Sequence, residues 1–369
     1  MIKKRRKILI VSFRYFGDAL LCTSLAERIK EASETSEVSF LCYSKVAPIL
    51  NNIKSIDSII TIDEGASLIK NLWKIFRYLG RFDLAVITQL STRAVVFGRI
   101  LAKRTVGFEP GKTKRNWWKK YLLSYLATEN SSDQPQILKF NELLDVTGFP
   151  KSDFIRVGTP SEDLPSFAKV NRPYIVIHPT PQKNDRRIDV EKWLHLIKYF
   201  SMQGYAIAIT GSGLTSEISY INEIVSSSKV KINNFAGKLS WGQTANLIKG
   251  SKFFIGIDTG TTHLAAATGV PTFAIFGPTP ITGWGPWGVN QIKPYDAFEG
   301  ISVQKRGNVT VLGLRPFDFC AKGCHNCWKT QTVVPCLSMV NTNSLIKLIE
   351  KVLNSKDKTL NCLPEDKNK

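Results

Sequence analysis

The residues best placed to do chemistry follow an apolar run late in the chain, in the segment Ile257-Asp258-Thr259-Gly260-Thr261-Thr262-His263. The apolar run predicts a strand, and the small residues after it predict a helix whose first amides have no partner within the helix. Such a helix start is a ready anion-binding site. We therefore assign Asp258, Thr259, Gly260 and His263 to a ligand site, although a packed core position would also explain the histidine.

A carboxylate occupies a similar place near the start of the chain, in Ser12-Phe13-Arg14-Tyr15-Phe16-Gly17-Asp18. This segment lies between the first predicted strand and the first predicted helix. Gly17 lets the backbone turn sharply, and the helix amides can orient the side chain of Asp18. Taken alone, the segment favours an ordinary helix N-cap for Asp18 over a catalytic carboxylate.

Two further loops offer hydrogen-bond donors to an anionic ligand. His178-Pro179-Thr180 follows one predicted strand and precedes the cations Lys183, Arg186 and Arg187, and a guanidinium matches the oxygens of a phosphate. Thr210-Gly211-Ser212-Gly213 follows the next strand, before a helix that contains Glu217, and its small residues permit close approach of a nucleotide. A solvated basic loop and a tight turn are the alternatives.

Alternating strand and helix patterns must position these loops. β-branched runs alternate with amphipathic stretches, which is typical of βα units around a parallel sheet. Proline-rich polar residues interrupt the series at 149–173. The predicted strands are 7–12, 38–43, 58–62, 84–88, 174–178, 205–210, 253–257 and 272–276, and the predicted helices are 18–32, 67–79, 92–102, 190–202, 216–226 and 242–249.

We therefore predict an α/β protein with two doubly wound domains in tandem. The N-terminal Rossmann-like domain takes residues 1–160, a linker takes 161–173, and the C-terminal Rossmann-like domain takes 174–345. A helix end and a polar tail take 346–369. Such architectures bind ligands in the crevice at the carboxyl ends of their strands.

The composition fits a globular protein with an anionic partner. Hydrophobic residues make up 43% of the 369 residues and charged residues 22%, which disfavours disorder and an integral membrane protein. Fifty Lys and Arg against 30 Asp and Glu give a formal charge of +20, which favours nucleic acid, phosphorylated substrates or acidic lipid headgroups. The apolar run 8–12 is too short for a signal sequence, so we expect the seven cysteines in the reducing cytoplasm.

In their order and spacing, these segments resemble glycosyltransferase family 9, the ADP-heptose:lipopolysaccharide heptosyltransferases, over most of residues 7–345. The match is most specific at 257–267, continued by Phe276-Gly277-Pro278-Thr279, and at Gly17-Asp18. The resemblance implies a GT-B fold, with two Rossmann-like domains facing a central cleft. It also implies an inverting transfer in which Asp18 is the general base that accepts the proton of the acceptor hydroxyl.

The same resemblance implies the remaining roles. Thr180, Arg186 and the amides of Thr259 and Gly260 would stabilise the leaving diphosphate without an obligatory metal or cofactor. By their places in the loops, and not by the resemblance, we add Ser212, Glu217 as a ribose contact, Asp258 and His263 to the donor-binding set. The donor would be ADP-heptose or another nucleotide sugar. The acceptor would be an anionic, lipid-linked saccharide of the lipopolysaccharide core or a related saccharide.

This chain departs from the family pattern at three positions. Arg186 stands where lysine is usual, Ile188 where an aromatic residue is usual, and Ser24 where many members have proline. These departures leave the donor sugar open.

A basic and aromatic segment predicts contact with a membrane. Its cations interleave with Trp117 and Trp118 beside an apolar helical face, which is typical of interfacial attachment. A helix packed on the N-terminal domain with a solvated face explains the pattern equally well. No nucleic-acid recognition motif accompanies the charge. We assign these cations to the acceptor or membrane side of a cytoplasmic protein at the inner face of the cytoplasmic membrane: Arg14, Lys112, Lys114, Arg115, Lys119 and Lys120.

Four cysteines form a weak candidate for a zinc site. Cys320, Cys324, Cys327 and Cys336 follow the spacing Cys-x3-Cys-x2-Cys-x8-Cys, and four thiolates can close a tetrahedral site. Free thiols are the alternative.

Two other function classes stay open. A sugar-nucleotide epimerase on the same fold would bind the same donor and need no second substrate. A non-catalytic nucleotide-sugar or polysaccharide binding protein would use Asp18 only as a helix cap.

Overall fold

The strands form two sheets, each made from one half of the chain. The computed structural model describes residues 5–110, 116–128, 134–181, 187–277, 279–315 and 335–355. Within these residues the first sheet contains β1 Lys7–Val11, β2 Glu37–Tyr43, β3 Ser58–Ile62, β4 Phe82–Ile87, β5 Ala102–Phe108 and β6 Tyr125–Ala127. The second contains β7 Tyr174–His178, β8 Ala206–Ile209, β9 Ile232–Asn234, β10 Phe254–Ile257, β11 Thr272–Phe276, β12 Gly300–Arg306 and β13 Val309–Arg315.

The helices of the described residues lie between these strands and after them. They are α1 Phe16–Ala32, α2 Ala47–Leu50, α3 Leu68–Ile75, α4 Thr92–Leu101, α5 Gln136–Asp145, α6 Val190–Met202, α7 Thr215–Ser227, α8 Trp241–Lys249, α9 Gly260–Thr268, α10 Ile281–Trp284, α11 Pro335–Ser338 and α12 Thr342–Asn354. Short 3-10 turns occupy Phe76–Tyr78, Trp117–Leu122 and Ser166–Ala168. No helix of the described ranges has the length and apolar character needed to cross a membrane.

The first sheet is parallel throughout, in the order β3-β2-β1-β4-β5-β6. This is a doubly wound order, because β2 and β3 are added on one side of β1 and β4, β5 and β6 on the other. Side chains of β1 alternate between two apolar clusters. Ile8 and Ile10 face the cluster that contains α1, while Leu9 and Val11 face the cluster that contains α4.

The second sheet repeats the plan and adds an antiparallel edge. Its order is β12-β13-β11-β10-β7-β8-β9, and every pair is parallel except β12 with β13. The β12–β13 turn contains Gly307 at φ +55, a left-handed conformation that favours glycine. β7 and β10 are the central strands, and the sheet reverses its winding direction between them, as the first sheet does between β1 and β4.

The two halves share an apolar core where α1 meets α9. Leu264 of α9 and Ala245 of α8 belong to the same buried cluster as Leu20 of α1. Glu162, in the segment between the sheets, holds the start of α8 by accepting hydrogen bonds from Ser240 Oγ at 2.6 Å and from Gln243 Nε2 at 2.9 Å. These contacts bring the carboxyl ends of the two sheets to face each other.

Candidate active site

A cavity of about 390 Å³ lies between the carboxyl ends of the two sheets. Tyr15, Phe16 and Gly17 form its wall on the side of the first sheet. The opposite wall comes from the loops that follow β7, β8 and β10 and from the start of α8. The cavity therefore lies where doubly wound sheets bind their ligands.

Asp18 lies in the first turn of α1, next to this wall. Tyr15 is the N-cap residue, so Asp18 is the third helical residue and not the N-cap that its segment alone favours. Its Oδ2 atom lies 3.7 Å from Nη1 of Arg14, and its side chain is 20% exposed. Arg14 in turn lies over the ring of Phe140, at 5.4 Å from the centroid.

The surroundings of Asp18 favour its protonated form more than water does. Burial raises the pKa of the carboxyl from 3.8 to about 6, against the lowering effect of Arg14 and with a small further increase from the charge of Asp258. A carboxyl that must lose its proton near neutral pH is suited to proton transfer. Asp18 is thus the described carboxyl whose acidity fits a general base.

The start of α9 presents neutral donors to the same cavity. Thr259 is the N-cap residue and makes no side-chain cap hydrogen bond, and its buried Oγ1 atom has no hydrogen-bond partner. Gly260 and Thr261 line the cavity, and their amides precede the first intrahelical hydrogen bonds. Asp258, just before the helix, accepts a hydrogen bond from the hydroxyl of Thr279. This helix start can therefore bind an anion through its amides.

Two glycines let the starts of α1 and α9 approach each other. A Cβ atom on Gly260 would lie 3.3 Å from the backbone nitrogen of Gly17, and a Cβ on Gly17 would lie 3.2 Å from Cδ2 of His263. Each helix start carries a partial positive charge from its aligned peptide dipoles. The cavity thus receives two positive helix ends, one from each half of the chain.

The loops after β7 and β8 add a hydrogen-bonded polar wall. Nδ1 of His178 lies 3.0 Å from the hydroxyl of Thr210, and its Nε2 lies 3.4 Å from the hydroxyl of Thr180. Burial lowers the pKa of His178 to about 4, against the charge of Glu217, so the ring is neutral at pH 7. Glu217 accepts a 2.9 Å hydrogen bond from the amide of Ser212, which fixes its carboxylate at the cavity wall.

The structure brings most of the predicted donor-site residues together. Those that line the cavity are Thr180, Ser212, Glu217, Thr259 and Gly260.

Two predicted residues lie behind this wall, and one lies outside the described ranges. Asp258 precedes the wall residues of α9. His263 is buried with its Nδ1 atom unpartnered, and burial lowers its pKa. Arg186 falls outside the described residues.

The sequence did not lead us to predict the aromatic residues that line part of the cavity. Trp241, at the start of α8, packs against Phe16 with ring centroids 5.4 Å apart, and Phe235, Leu239 and Thr244 also line the cavity. The predicted helix at 242–249 began one residue too late to include Trp241. The short strand β9 was not predicted, although it places the loop that carries Phe235.

The structure describes three of the six predicted acceptor-side cations, and these three have different surroundings. Arg14 lies at the active site. Lys119 is only 5% exposed, and its ammonium donates to the carbonyl of Leu90, so it is not part of an exposed basic face. Lys120 is exposed and lies over the ring of Tyr121. Lys112, Lys114 and Arg115 fall outside the described residues.

The proposed zinc ligands fall mostly outside the described residues as well. Cys320, Cys324 and Cys327 are among the residues not described, and Cys336 is buried beside Gly277. Within the described part of the chain, no group of three metal-ligating side chains occurs.

Comparisons with known proteins identify the family. The profile described as glycosyltransferase family 9 (heptosyltransferase) matches residues 73–305. Lipopolysaccharide heptosyltransferase 3 of Escherichia coli K12 is 26% identical over 297 residues, which are 76% of this chain and 85% of that protein. Lipooligosaccharide heptosyltransferase 2 of Haemophilus ducreyi is 24% identical over 308 residues, 74% of this chain and 84% of that protein.

Solved structures agree with the predicted fold class. A family 9 glycosyltransferase from Veillonella parvula superposes with a TM-score of 0.71 at 16% identity, over 96% of this chain and 98% of that chain. The E. coli heptosyltransferase WaaC with ADP gives 0.70 at 18% identity, over 94% and 99%. The two facing sheets are thus the GT-B fold that was predicted. This chain belongs to glycosyltransferase family 9 and is a glycosyltransferase.

Proposed function

We propose that this glycosyltransferase moves heptose from ADP-heptose to a hydroxyl of a lipopolysaccharide core or related saccharide, with inversion at the anomeric carbon. The names of its relatives support the sugar and the acceptor class, because they are lipopolysaccharide and lipooligosaccharide heptosyltransferases. The single observation that carries the proposal is Asp18. It is a half-buried carboxyl with a pKa of about 6, next to a cavity whose opposite wall includes the neutral donors at the start of α9.

In this proposal Asp18 is the general base. With a pKa of about 6, roughly nine-tenths of the carboxyl is deprotonated at pH 7. The acceptor hydroxyl gives its proton to a carboxylate oxygen of Asp18 while its own oxygen attacks the anomeric carbon. The bond from that carbon to the β-phosphate oxygen breaks, and ADP leaves with the electron pair. Attack opposite to the leaving group inverts the configuration.

The start of α9 would stabilise the charge that develops on ADP. The amides of Gly260 and Thr261 and the unpartnered hydroxyl of Thr259 face the cavity side where a diphosphate would lie. Preorganised donors of this kind act where charge grows in the transition state. The hydroxyl of Thr180 extends the set, and Arg186 joins it by its place in the sequence. We assign this stabilisation to protein donors and no step to a metal ion.

The nucleoside end of the donor would lie along the loop after β8. The carboxylate of Glu217 is held by the amide of Ser212 and can accept hydrogen bonds from ribose hydroxyls. Small residues at Gly211 and Gly213 permit close approach of the nucleotide. Trp241 offers a flat apolar face beside them, which suits a base or a sugar ring.

The acceptor would be anionic and lipid-linked, and the enzyme would work at the inner face of the cytoplasmic membrane. The formal charge of +20 supports an acidic partner, because net charge of one sign steers the opposite charge toward the protein.

Acceptor-dependent ADP release tests the proposal. The wild type, incubated with ADP-heptose and a phosphorylated core saccharide, is expected to release ADP only when the acceptor is present, and Asp18→Ala is expected to release none. Inverted stereochemistry is checked by NMR of the product. Conversion of the donor without acceptor would favour an epimerase. Donor binding without turnover on any core saccharide would favour a binding protein. Turnover with another nucleotide sugar, but not with ADP-heptose, would mean that the donor sugar is not heptose.

A further inference from the structure

The outer face of α3 and of the 3-10 turn after it exposes large apolar side chains to solvent. Ile69 is 69% exposed, Trp73 74% and Phe76 61%, with Leu68 and Leu79 each above 40%. The rings of Trp73 and Phe76 lie 5.9 Å apart. An apolar patch of this kind on a protein surface marks a site of interaction. We call these five side chains, with the cations between them, the α3 face.

Cations interleave with the apolar residues of the α3 face. Lys70, Lys74, Arg77 and Arg81 fall within residues 65–82, a stretch with no acidic residue. Lys74 pairs with Asp63 at 2.5 Å, and the guanidinium of Arg77 lies over the ring of Tyr78 at 4.9 Å. The face is therefore positively charged and apolar, a combination that matches an anionic lipid surface.

The inner face of α3 is anchored independently of the exposed side chains. Ile75 belongs to the buried cluster beneath the helix, and Leu72 and Tyr78 pack against it. The side chain of Asn71 exchanges hydrogen bonds with the backbone of Asp63 at 3.0 and 2.8 Å, and Ser67 caps the helix by accepting from the amide of Lys70. The exposed apolar residues therefore contribute little to holding α3 in place.

The α3 face begins at the same sheet edge as the active site. α3 follows the carboxyl end of β3, as α1 follows the carboxyl end of β1. The ammonium of Lys45 lies 5.6 Å from the ring centroid of Tyr15 and also pairs with Glu64 in the loop before α3. A chain of contacts thus connects the wall of the cavity to the start of α3.

A second set of exposed aromatic residues lies in the same helical layer. Trp117 and Tyr121 are 57% and 69% exposed. Leu122 and Leu123, which follow them, pack against the cluster that also holds Ile75. The opposite side of the sheet is covered by α1 and α5. The exposed rings of α3 and of the 117–122 turn therefore lie on the same side of the first sheet.

We propose that the α3 face docks this chain on a bilayer that contains anionic phospholipid. The helix lies in the plane of the interface, with Ile69, Trp73 and Phe76 among the acyl chains near the headgroups. The cations contact lipid phosphates, and their aliphatic stems lie along the apolar boundary. This extends the proposed function by placing the chain on the lipid that would carry the acceptor. Lipid binding itself requires neither donor nor acceptor.

Vesicle binding of the full chain tests the proposal without any substrate. Co-sedimentation is measured with vesicles of phosphatidylcholine alone and with phosphatidylglycerol added in about equal parts. The variant Ile69→Ser/Trp73→Ser/Phe76→Ser is compared with Met202→Ser/Ile292→Ser/Ile301→Ser, which removes apolar residues of similar exposure from the other half of the chain. Circular dichroism and thermal melting confirm that both variants fold.

Binding to the anionic vesicles is expected to fall ~10-fold or more in the α3 variant, and by less than ~2-fold in the control. Lys70→Glu/Arg77→Glu is expected to weaken binding strongly at low salt, while Lys198→Glu/Lys231→Glu changes it little. Brominated lipid should quench the wild type more than Trp73→Phe, because the ring at position 73 enters the interface.

Three results would overturn the proposal. The first is a wild type that does not bind anionic vesicles, and the second is an α3 variant that binds as well as the wild type or no worse than the control variant. The third is a wild-type dimer, seen by sedimentation velocity, that the α3 variant abolishes, since a second copy of the chain would then cover the face. Because no substrate is present, none of these results depends on the proposed transfer reaction.

Discussion

The two strand-to-helix junctions at the cavity share a plan and differ in charge. At β1–α1 an aspartate lies within the first helical turn, half-buried, with an arginine as its nearest charge. At β10–α9 the aspartate comes before the helix, and the helix start itself offers only Thr259, Gly260 and Thr261. The first junction offers the cavity a carboxylate that can accept a proton, and the start of α9 offers it amides and a hydroxyl that can donate hydrogen bonds. The difference suggests that one half of the chain does the proton transfer and the other binds the leaving group.

The same chemical change at the two aspartates should have very unequal effects. Asp18→Asn removes the proposed general base and is expected to lower kcat by ~10²- to 10⁴-fold with ADP affinity within ~3-fold of the wild type. Asp258→Asn can still accept from Thr279 and is expected to lower kcat by less than ~10-fold. Initial rates and calorimetric titration with ADP check both. Equal losses of kcat in the two variants would remove the distinction between the junctions.

Crowding the point where the two helices meet should affect donor binding. Gly260→Ala places a Cβ atom 3.3 Å from the nitrogen of Gly17, so the helix starts must separate by a few tenths of an ångström. We expect ADP to bind ~10-fold more weakly, because the amides of α9 lose their alignment with the anion. Gly65→Ala is the control, since a Cβ there meets nothing within 4 Å. If Gly260→Ala binds ADP as tightly as the wild type, the starts of α1 and α9 do not act together on the diphosphate.

Removing the cation at the first junction should move the pH profile. Arg14 lowers the pKa of Asp18, so Arg14→Met raises that pKa above about 6. The acid limb of kcat/KM should shift to higher pH, with a loss of ~3-fold at pH 6.5 and little loss at pH 8.5. Arg104→Met, which removes an exposed arginine bonded to Tyr125, should leave the limb in place. If the acid limb of kcat/KM does not move in Arg14→Met, a group other than Asp18 controls that limb.

The site loops were predictable because each is a local pattern. Two of these segments, 12–18 and 258–260, directly follow apolar runs that form strands. Each therefore lies at the carboxyl end of its own sheet, where such folds bind ligands. Trp241 and Phe16 lie far apart in the chain and meet only when the two halves dock, so no local signal pairs them. Lys119 lies among exposed aromatics in sequence, yet its ammonium satisfies the carbonyl of Leu90. Burial of that kind depends on a tertiary partner.

Parts of the fold were missed for equally physical reasons. β5 begins at Ala102, directly after α4, so no turn residue separates helix from strand. Its exposed Lys103 and Arg104 also interrupt the apolar run. The β12–β13 hairpin does carry a usable signal, since alternating apolar residues flank Gly307. The outward side of α3 was read as ordinary helical spacing, although Trp73 and Phe76 do not share the face of Asn71 and Ile75.

Asp18 works against the stability of the fold at the pH where it would work as a base. Burial raises its pKa from 3.8 to about 6, so the native state holds the proton more tightly than the unfolded chain. The resulting destabilisation is absent below pH 3.8, grows as the pH rises toward 6, and is constant above that value, at up to about 3 kcal/mol. Asp18→Asn should therefore melt at higher temperature than the wild type at pH 8, with a smaller difference at pH 4.5. Selection for folding alone would replace this carboxylate, so its presence at this position requires a benefit outside folding.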